Sequence, residues 1–144
     1  MQHTFLFEEG TWTAVGRYRD ERGTAWSMLG RSEVRHREDR WILDASMEVR
    51  TPAPQSFVSL HDVTPFEETD HTSWVSTNPA IGRLEGTYCV VDDSLLSSWT
   101  SVEGDFRGSE VLRLLEDGRY RCHGALFDGP RRVSSWTLEL TRES

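Results

Sequence analysis

The sequence predicts an all-β protein, an antiparallel up-and-down meander of about ten strands closed into a β-barrel. Three observations carry this expectation. Apolar residues recur with period two, and helical periodicity is almost absent. Turn residues punctuate these segments at short intervals, which leaves no room for crossover helices. Finally, the chain of 144 residues holds 6 Trp, and all except Trp41 follow a Ser or Thr by one or two positions. Indole is large and carries one N–H donor, so it suits an apolar wall that needs an occasional polar contact.

The first strand, 11–19, puts Trp12, Ala14, Gly16 and Tyr18 on one face. Asp20-Glu21-Arg22-Gly23 has hairpin-turn composition and leads into 24–36, where Trp26, Met28, Gly30, Ser32 and Val34 alternate with Arg31, Glu33 and Arg35. Segment 40–50 is the clearest: Trp41, Leu43, Ala45, Met47 and Val49 share one face, and Asp44, Ser46, Glu48 and Arg50 the other. Such a strand has one face in a core and one in water. Further strands are read at 56–64, 72–77, 82–91, 94–103, 106–115, 119–127 and 131–142, with Glu116-Asp117-Gly118 as a second hairpin turn. Two prolines in 51–55 and the acidic stretch 65–71 interrupt the ladder and are expected to rim an opening. Ser-Ser-Trp-Thr at 97–100 recurs at 134–137 without similar flanks, which reads as shared strand geometry. No linker divides the chain, so residues 1–144 form a single domain. Closure removes the exposed edges of a long meander. A two-sheet sandwich is the competing shape, but it needs a long Greek-key crossing that these short links do not supply.

The charge balance narrows the partners. With 24 acidic and 16 basic residues the net charge is −8, a field that repels phosphate backbones and anionic headgroups. Nucleic acid and membrane surfaces are therefore not expected partners. Every basic residue apart from the histidines is Arg. The N-terminus lacks the basic start and apolar run of a secretory signal, and no stretch approaches the roughly 20 apolar residues of a membrane span. A soluble, cytoplasmic protein is expected. Alternation points Cys122 inward and Cys89 outward, so both are read as reduced thiols, and no C-x-x-C pair suggests metal or redox work.

Gly10-Thr11-Trp12 at the start of the first long strand, followed by a meander to the C-terminus, resembles the calycin superfamily. Its members include lipocalins, fatty-acid-binding proteins and nitrobindin-like haem proteins. The resemblance implies a barrel with an interior ligand site. It also implies that Trp12 closes the barrel floor under an arginine from a late strand, for which Arg131, Arg132 and Arg142 are candidates. The chain lacks the helix-turn-helix lid of fatty-acid-binding proteins and shows no alignable proximal-histidine motif of nitrobindins, which leaves the ligand open.

The inward positions define the candidate site. Trp26, Met28, Met47, His61, Tyr88, Trp99, Tyr120 and Trp136 are expected to bind a ligand. Ten strands enclose more space than the roughly eight whose interior side chains can fill, and inward glycines at 16, 30, 86 and 124 are expected to thin the wall. A flattened, filled barrel is the competing structure. His61 is the candidate polar anchor and the candidate acid or base, since a buried imidazole orients ligands, moves protons or ligates haem iron. His36, His71 and His123 are expected in solvent, His3 in a frayed terminus, Trp41 in simple packing at a strand start, and Trp74 at the rim. The pairs Glu8-Glu9, Glu67-Glu68 and Asp92-Asp93 read as solvated turn residues. No serine elbow, phosphate-binding loop or metal-ligand spacing occurs, and no cofactor is evident beyond haem as an option.

These features support binding of a small, largely apolar or aromatic molecule inside the barrel. The alternative is a barrel enzyme, a cyclase or isomerase of a reactive apolar intermediate, for which shape and one acid or base suffice. A further alternative is a homodimeric interaction module using outward Val58, Leu60, Val91 and Phe127.

Overall fold

The computed structural model describes residues 2–143. It contains ten strands: β1 (Gly10–Arg19), β2 (Ala25–His36), β3 (Trp41–Val49), β4 (Gln55–Val63), β5 (His71–Asn78), β6 (Gly82–Val91), β7 (Ser94–Ser101), β8 (Phe106–Glu116), β9 (Arg119–Asp128) and β10 (Arg131–Arg142). Each boundary falls within two residues of the segment that alternation predicts. The strands close into one antiparallel barrel in which sequential strands are neighbours and β1 seals against β10. This closure decides between barrel and sandwich, because every strand has a neighbour on both sides. No helix long and apolar enough to cross a membrane occurs among the described residues.

Alternating strand directions place the β1–β2, β3–β4, β5–β6, β7–β8 and β9–β10 turns at one end and the remaining turns at the other. The second end is closed by the chain's own N-terminal segment. Phe5 and Leu6 are buried there, and the edge of Phe5 meets Trp12 at 5.4 Å between ring centroids. Trp12 is fully buried and also meets Tyr120 edge-on at 5.6 Å. Both contacts have the tilted geometry that aromatic quadrupoles favour. Arg142 lies opposite Trp12 in the ladder, and its guanidinium donates to the Glu9 carbonyl at 2.6 Å. Among the late-strand arginines, Arg142 is therefore the one at the floor, where it fastens the segment. The cation–π contact found among the described residues is elsewhere, Arg107 over Phe127.

Two expectations about histidines are corrected at this floor. His3 is not frayed: Nε2 bonds the Asp92 carbonyl at 2.9 Å and Nδ1 bonds the Tyr120 hydroxyl at 2.7 Å. A carbonyl only accepts, so Nε2 carries a proton and donates to it. The same hydroxyl accepts the Thr4 N–H at 3.1 Å. His36 is not free in solvent either. Its ring stacks on Trp41 at 4.3 Å and its Nε2 bonds the Leu6 carbonyl at 2.7 Å. Leu6 has φ 72, a left-handed conformation that costs a non-glycine residue about 1 kcal/mol or more. Burial of its side chain and the His36 bond hold it there.

The shortest ladder is β4–β5, which pairs Leu60–Val63 with Trp74–Thr77. Gln55–Ser59 therefore lacks a partner on that side, and the wall is thinnest between β4 and β5 near the open end. Outward Val58, Leu60 and Val75 are exposed beside this seam. Val91 and Phe127 sit on β6 and β9, so the outward apolar residues proposed for a dimer do not form one face.

Candidate functional site

The interior wall is built from indoles laid over glycines. Trp74 lies opposite Gly86 in the β5–β6 ladder, Trp99 opposite Gly108 in β7–β8, and Trp136 opposite Gly124 in β10–β9. A Cβ built on any of these glycines would come closer than 3.0 Å to the facing ring. Each indole thus lies flat across the neighbouring strand, and two of the three reach the strand beyond. Trp74 Nε1 donates across β6 to Ser97 Oγ at 3.2 Å, and Trp136 Nε1 donates across β9 to Glu110 Oε2 at 2.9 Å. Gly30 seats Met47 in the same way. These glycines do not leave a thin wall, because rings and a thioether occupy the space their missing side chains provide.

The result is a continuous belt of rings. His61 stacks on Trp74 at 4.4 Å with the planes 6° apart, Trp74 is 6.1 Å from Trp99, and Trp99 stacks on Trp136 at 6.4 Å. Trp74 is 3% exposed, so it belongs to this wall and not to a rim. Inside the belt lies a cavity of about 410 Å³, within the range of small-molecule sites. Tyr18 and Phe57 stack at 6.0 Å toward the open end, where Ile81 of the β5–β6 turn and Phe106 also face the cavity.

Six residues proposed from sequence line this space: Met28, Met47, His61, Tyr88, Trp99 and Trp136. Trp26 and Tyr120 do not. Trp26 Nε1 donates to Asp20 Oδ2 at 3.0 Å, while Asp20 Oδ1 accepts the Arg22 and Thr24 N–H groups. Trp26 therefore ties down the β1–β2 turn, and its bond is the main cause that lowers the Asp20 pKa. Tyr120 belongs to the floor described above. Sequence reasoning missed Glu110. The signal was present, because Phe106, Gly108, Glu110, Leu112 and Leu114 share one face of β8 and Glu110 is the polar intruder in that row.

Burial governs the electrostatics. It pushes the His61 imidazole down to about 4, which leaves it neutral at physiological pH. Its Nδ1 is buried without a hydrogen-bond partner, as is Oγ of Ser76 opposite it in the ladder. Burial raises the Glu110 carboxyl, against the opposing bond from Trp136, and the accessible surface Glu110 retains faces the cavity. Burial and the Glu110 charge raise the Tyr88 hydroxyl and the Cys122 thiol as well. Cys89 and Cys122 are both free. His71 and His123 are exposed. No group of three or more metal-ligating side chains occurs among the described residues. A second concavity of about 530 Å³ lies on the outer face of β1, β10 and β9, flanked by Arg17, Arg19 and Arg121. Trp136 and Leu138 border both this concavity and the interior cavity.

No protein-family model matches the sequence, and no curated protein matches it. Solved structures do resemble the fold. Rv2717c from M. tuberculosis is similar with a TM-score of 0.65 at 13% identity, over 94% of this chain and 92% of that one. The S-type phycobiliprotein lyase CPES from Guillardia theta is similar with a TM-score of 0.68 at 8% identity, over 97% and 91%. The fold is calycin-like. At these identities the likeness is one of architecture, and the chemistry has to be argued from the cavity itself.

Proposed function

We propose that the barrel binds a small, largely apolar or aromatic molecule in its interior. The observation that carries this reading is the 410 Å³ cavity behind the indole belt, a concave apolar space with a few convergent polar groups. Tyr88, Trp99 and Trp136 supply ring faces, Met28 and Met47 supply adaptable thioether surface, and His61 and Glu110 supply polar contacts. Three of the six tryptophans line the space, so occupancy changes intrinsic fluorescence. Titration with a panel of aromatic and alicyclic compounds should quench or shift the emission, and Trp99→Leu should weaken the response. If no compound alters the emission or the thermal midpoint, the reading is wrong.

The donor set does not fit haem. Among the described residues no Arg lines the cavity to meet the propionates, and Glu110 places a carboxyl in the same space. One observation favours a catalytic second reading, a cyclase or isomerase: a neutral imidazole and a buried carboxyl share one apolar cavity, a pairing suited to moving a proton. Turnover of a candidate substrate that survives both His61→Ala and Glu110→Gln would sink it.

A further inference from the structure

Glu110 poses a physical problem that the ligand would solve. A carboxyl in an apolar cavity loses its hydration, and its burial is unfavourable unless hydrogen bonds or a counter-charge compensate. The protein provides two uncharged donors to it, Trp136 Nε1 to Oε2 at 2.9 Å and the weakly donating Cys122 thiol. A carboxylate has about four acceptor positions, so about half of its capacity remains open. Among the described residues no Arg lines the cavity, and the sequence contains no Lys. The other ionisable side chains that line it are His61 on β4, Tyr88 on β6, Cys122 on β9 and Tyr18 on β1. None of these supplies a cation: the imidazole is held neutral, and the phenols and thiol have only neutral and anionic forms. The interior thus offers one acidic group and no cation.

Resting on the interior-binding reading above, we infer that the natural ligand carries a cationic nitrogen, a protonated amine or amidine on an apolar aromatic framework, that pairs with Glu110, and that the cavity rejects carboxylates. The framework lies against the indole belt, and the N–H groups meet the free acceptor positions of the carboxyl beside Trp136. Aromatic faces near Trp99 and Trp136 add cation–π attraction for the same charge. Glu110 pairs as carboxylate, the ligand's charge opposing the upward push of burial, and the ligand keeps its own proton.

The test uses three probes with one framework and three charges: naphthylmethylamine, naphthylmethanol and naphthoate, titrated calorimetrically into the full chain at neutral pH. The amine should bind about tenfold tighter than the alcohol, as a charge-assisted hydrogen bond requires, and the carboxylate should bind weakest. Glu110→Gln should erase the preference, so that amine and alcohol bind that variant with similar affinity. Equal affinity for amine and alcohol, a preference for the carboxylate, or an amine preference that survives Glu110→Gln overturns the inference while the interior-binding reading stands. If none of the three probes binds, that reading falls and this inference falls with it.

Discussion

Replacing Gly108 by Ala tests how the aromatic wall is assembled. The new Cβ would sit 2.5 Å from Cε2 and 2.8 Å from Nε1 of Trp99, against an ordinary carbon contact of about 3.5–4.0 Å. About 1 Å of movement is therefore needed. The ring cannot slide along the wall, because Trp74 and Trp136 stand on either side of it at 6.1 and 6.4 Å. It must tilt into the cavity. Overpacking of this kind costs about 1–3 kcal/mol, while Ala restrains the unfolded chain and returns about 0.4–1 kcal/mol. The net loss should be about 1–2 kcal/mol, or roughly 2–8 °C in thermal midpoint for a chain of this size. Urea denaturation followed by fluorescence and by far-ultraviolet dichroism measures it. The decisive comparison is a double-mutant cycle with Trp99→Leu, in which the collision disappears and Gly108→Ala should be neutral or stabilising. A coupling of about 1–2 kcal/mol is expected between the two sites. If Gly108→Ala costs as much in the Trp99→Leu background as in the parent chain, the ring-over-glycine account of this wall is wrong.

Other consequences are separable by pH and by position. The folded His61 pKa, about 4, lies below the ordinary imidazole value of 6.5, so the unfolded chain takes up a proton first as pH falls. The stability His61 contributes is complete above 6.5 and is lost down to about 4, roughly 3 kcal/mol across the window. His61→Phe keeps the stack on Trp74, and its urea midpoint should fall less steeply over that interval. Glu110 has the opposite sign. Its raised pKa stabilises the protein below the ordinary carboxyl range, and that contribution disappears as pH rises through the folded value. Glu110→Gln should therefore flatten any decline in stability toward alkaline pH, and an unchanged slope would place the carboxyl in better solvated surroundings. At the floor, Tyr120→Phe removes the bonds to His3 and to the Thr4 N–H and strands a buried donor. A loss of about 1–3 kcal/mol is expected, with faster proteolysis of the N-terminal segment before β1; unchanged cleavage would mean that the clasp does not hold the segment.

The strands were legible because alternation is local. Each segment shows its inward row without reference to any other, and short links then leave an antiparallel meander as the economical connection. The floor was harder to read. His3, Phe5 and Leu6 have no periodicity of their own, and their burial arises from contacts with Tyr120, Trp12 and His36, all distant in the chain. A similar limit hid the role of Trp26, whose inward position is real but whose indole N–H is claimed by Asp20 in a turn. Glu110 is a different case. Its alternation was readable, but a search for acidic residues in pairs passed over a single carboxyl whose importance lies in having no cation near it.

The cavity itself shows why counting large inward side chains is a poor guide to whether a barrel is full. Six indoles in a chain of 144 residues suggest an interior crowded with rings that meet across the axis. Here Trp74, Trp99 and Trp136 each find a glycine on an adjacent strand, so their area is laid along the wall instead of across the lumen. The glycine is what permits this, because any Cβ at those positions lifts the ring inward. Two of these pairs are symmetric about hairpin turns, 74 and 86 about the β5–β6 turn and 99 and 108 about the β7–β8 turn, while 124 and 136 come into register only through the irregularity between Arg132 and Ser134. Where the ladder is regular, locating the turn is enough to read the Trp–Gly pairing from sequence. A cross-strand glycine therefore separates a tryptophan that lines a space from one that fills it, as at the floor, where Ser32 and Arg142 are the partners of Trp12 and its ring is fully buried.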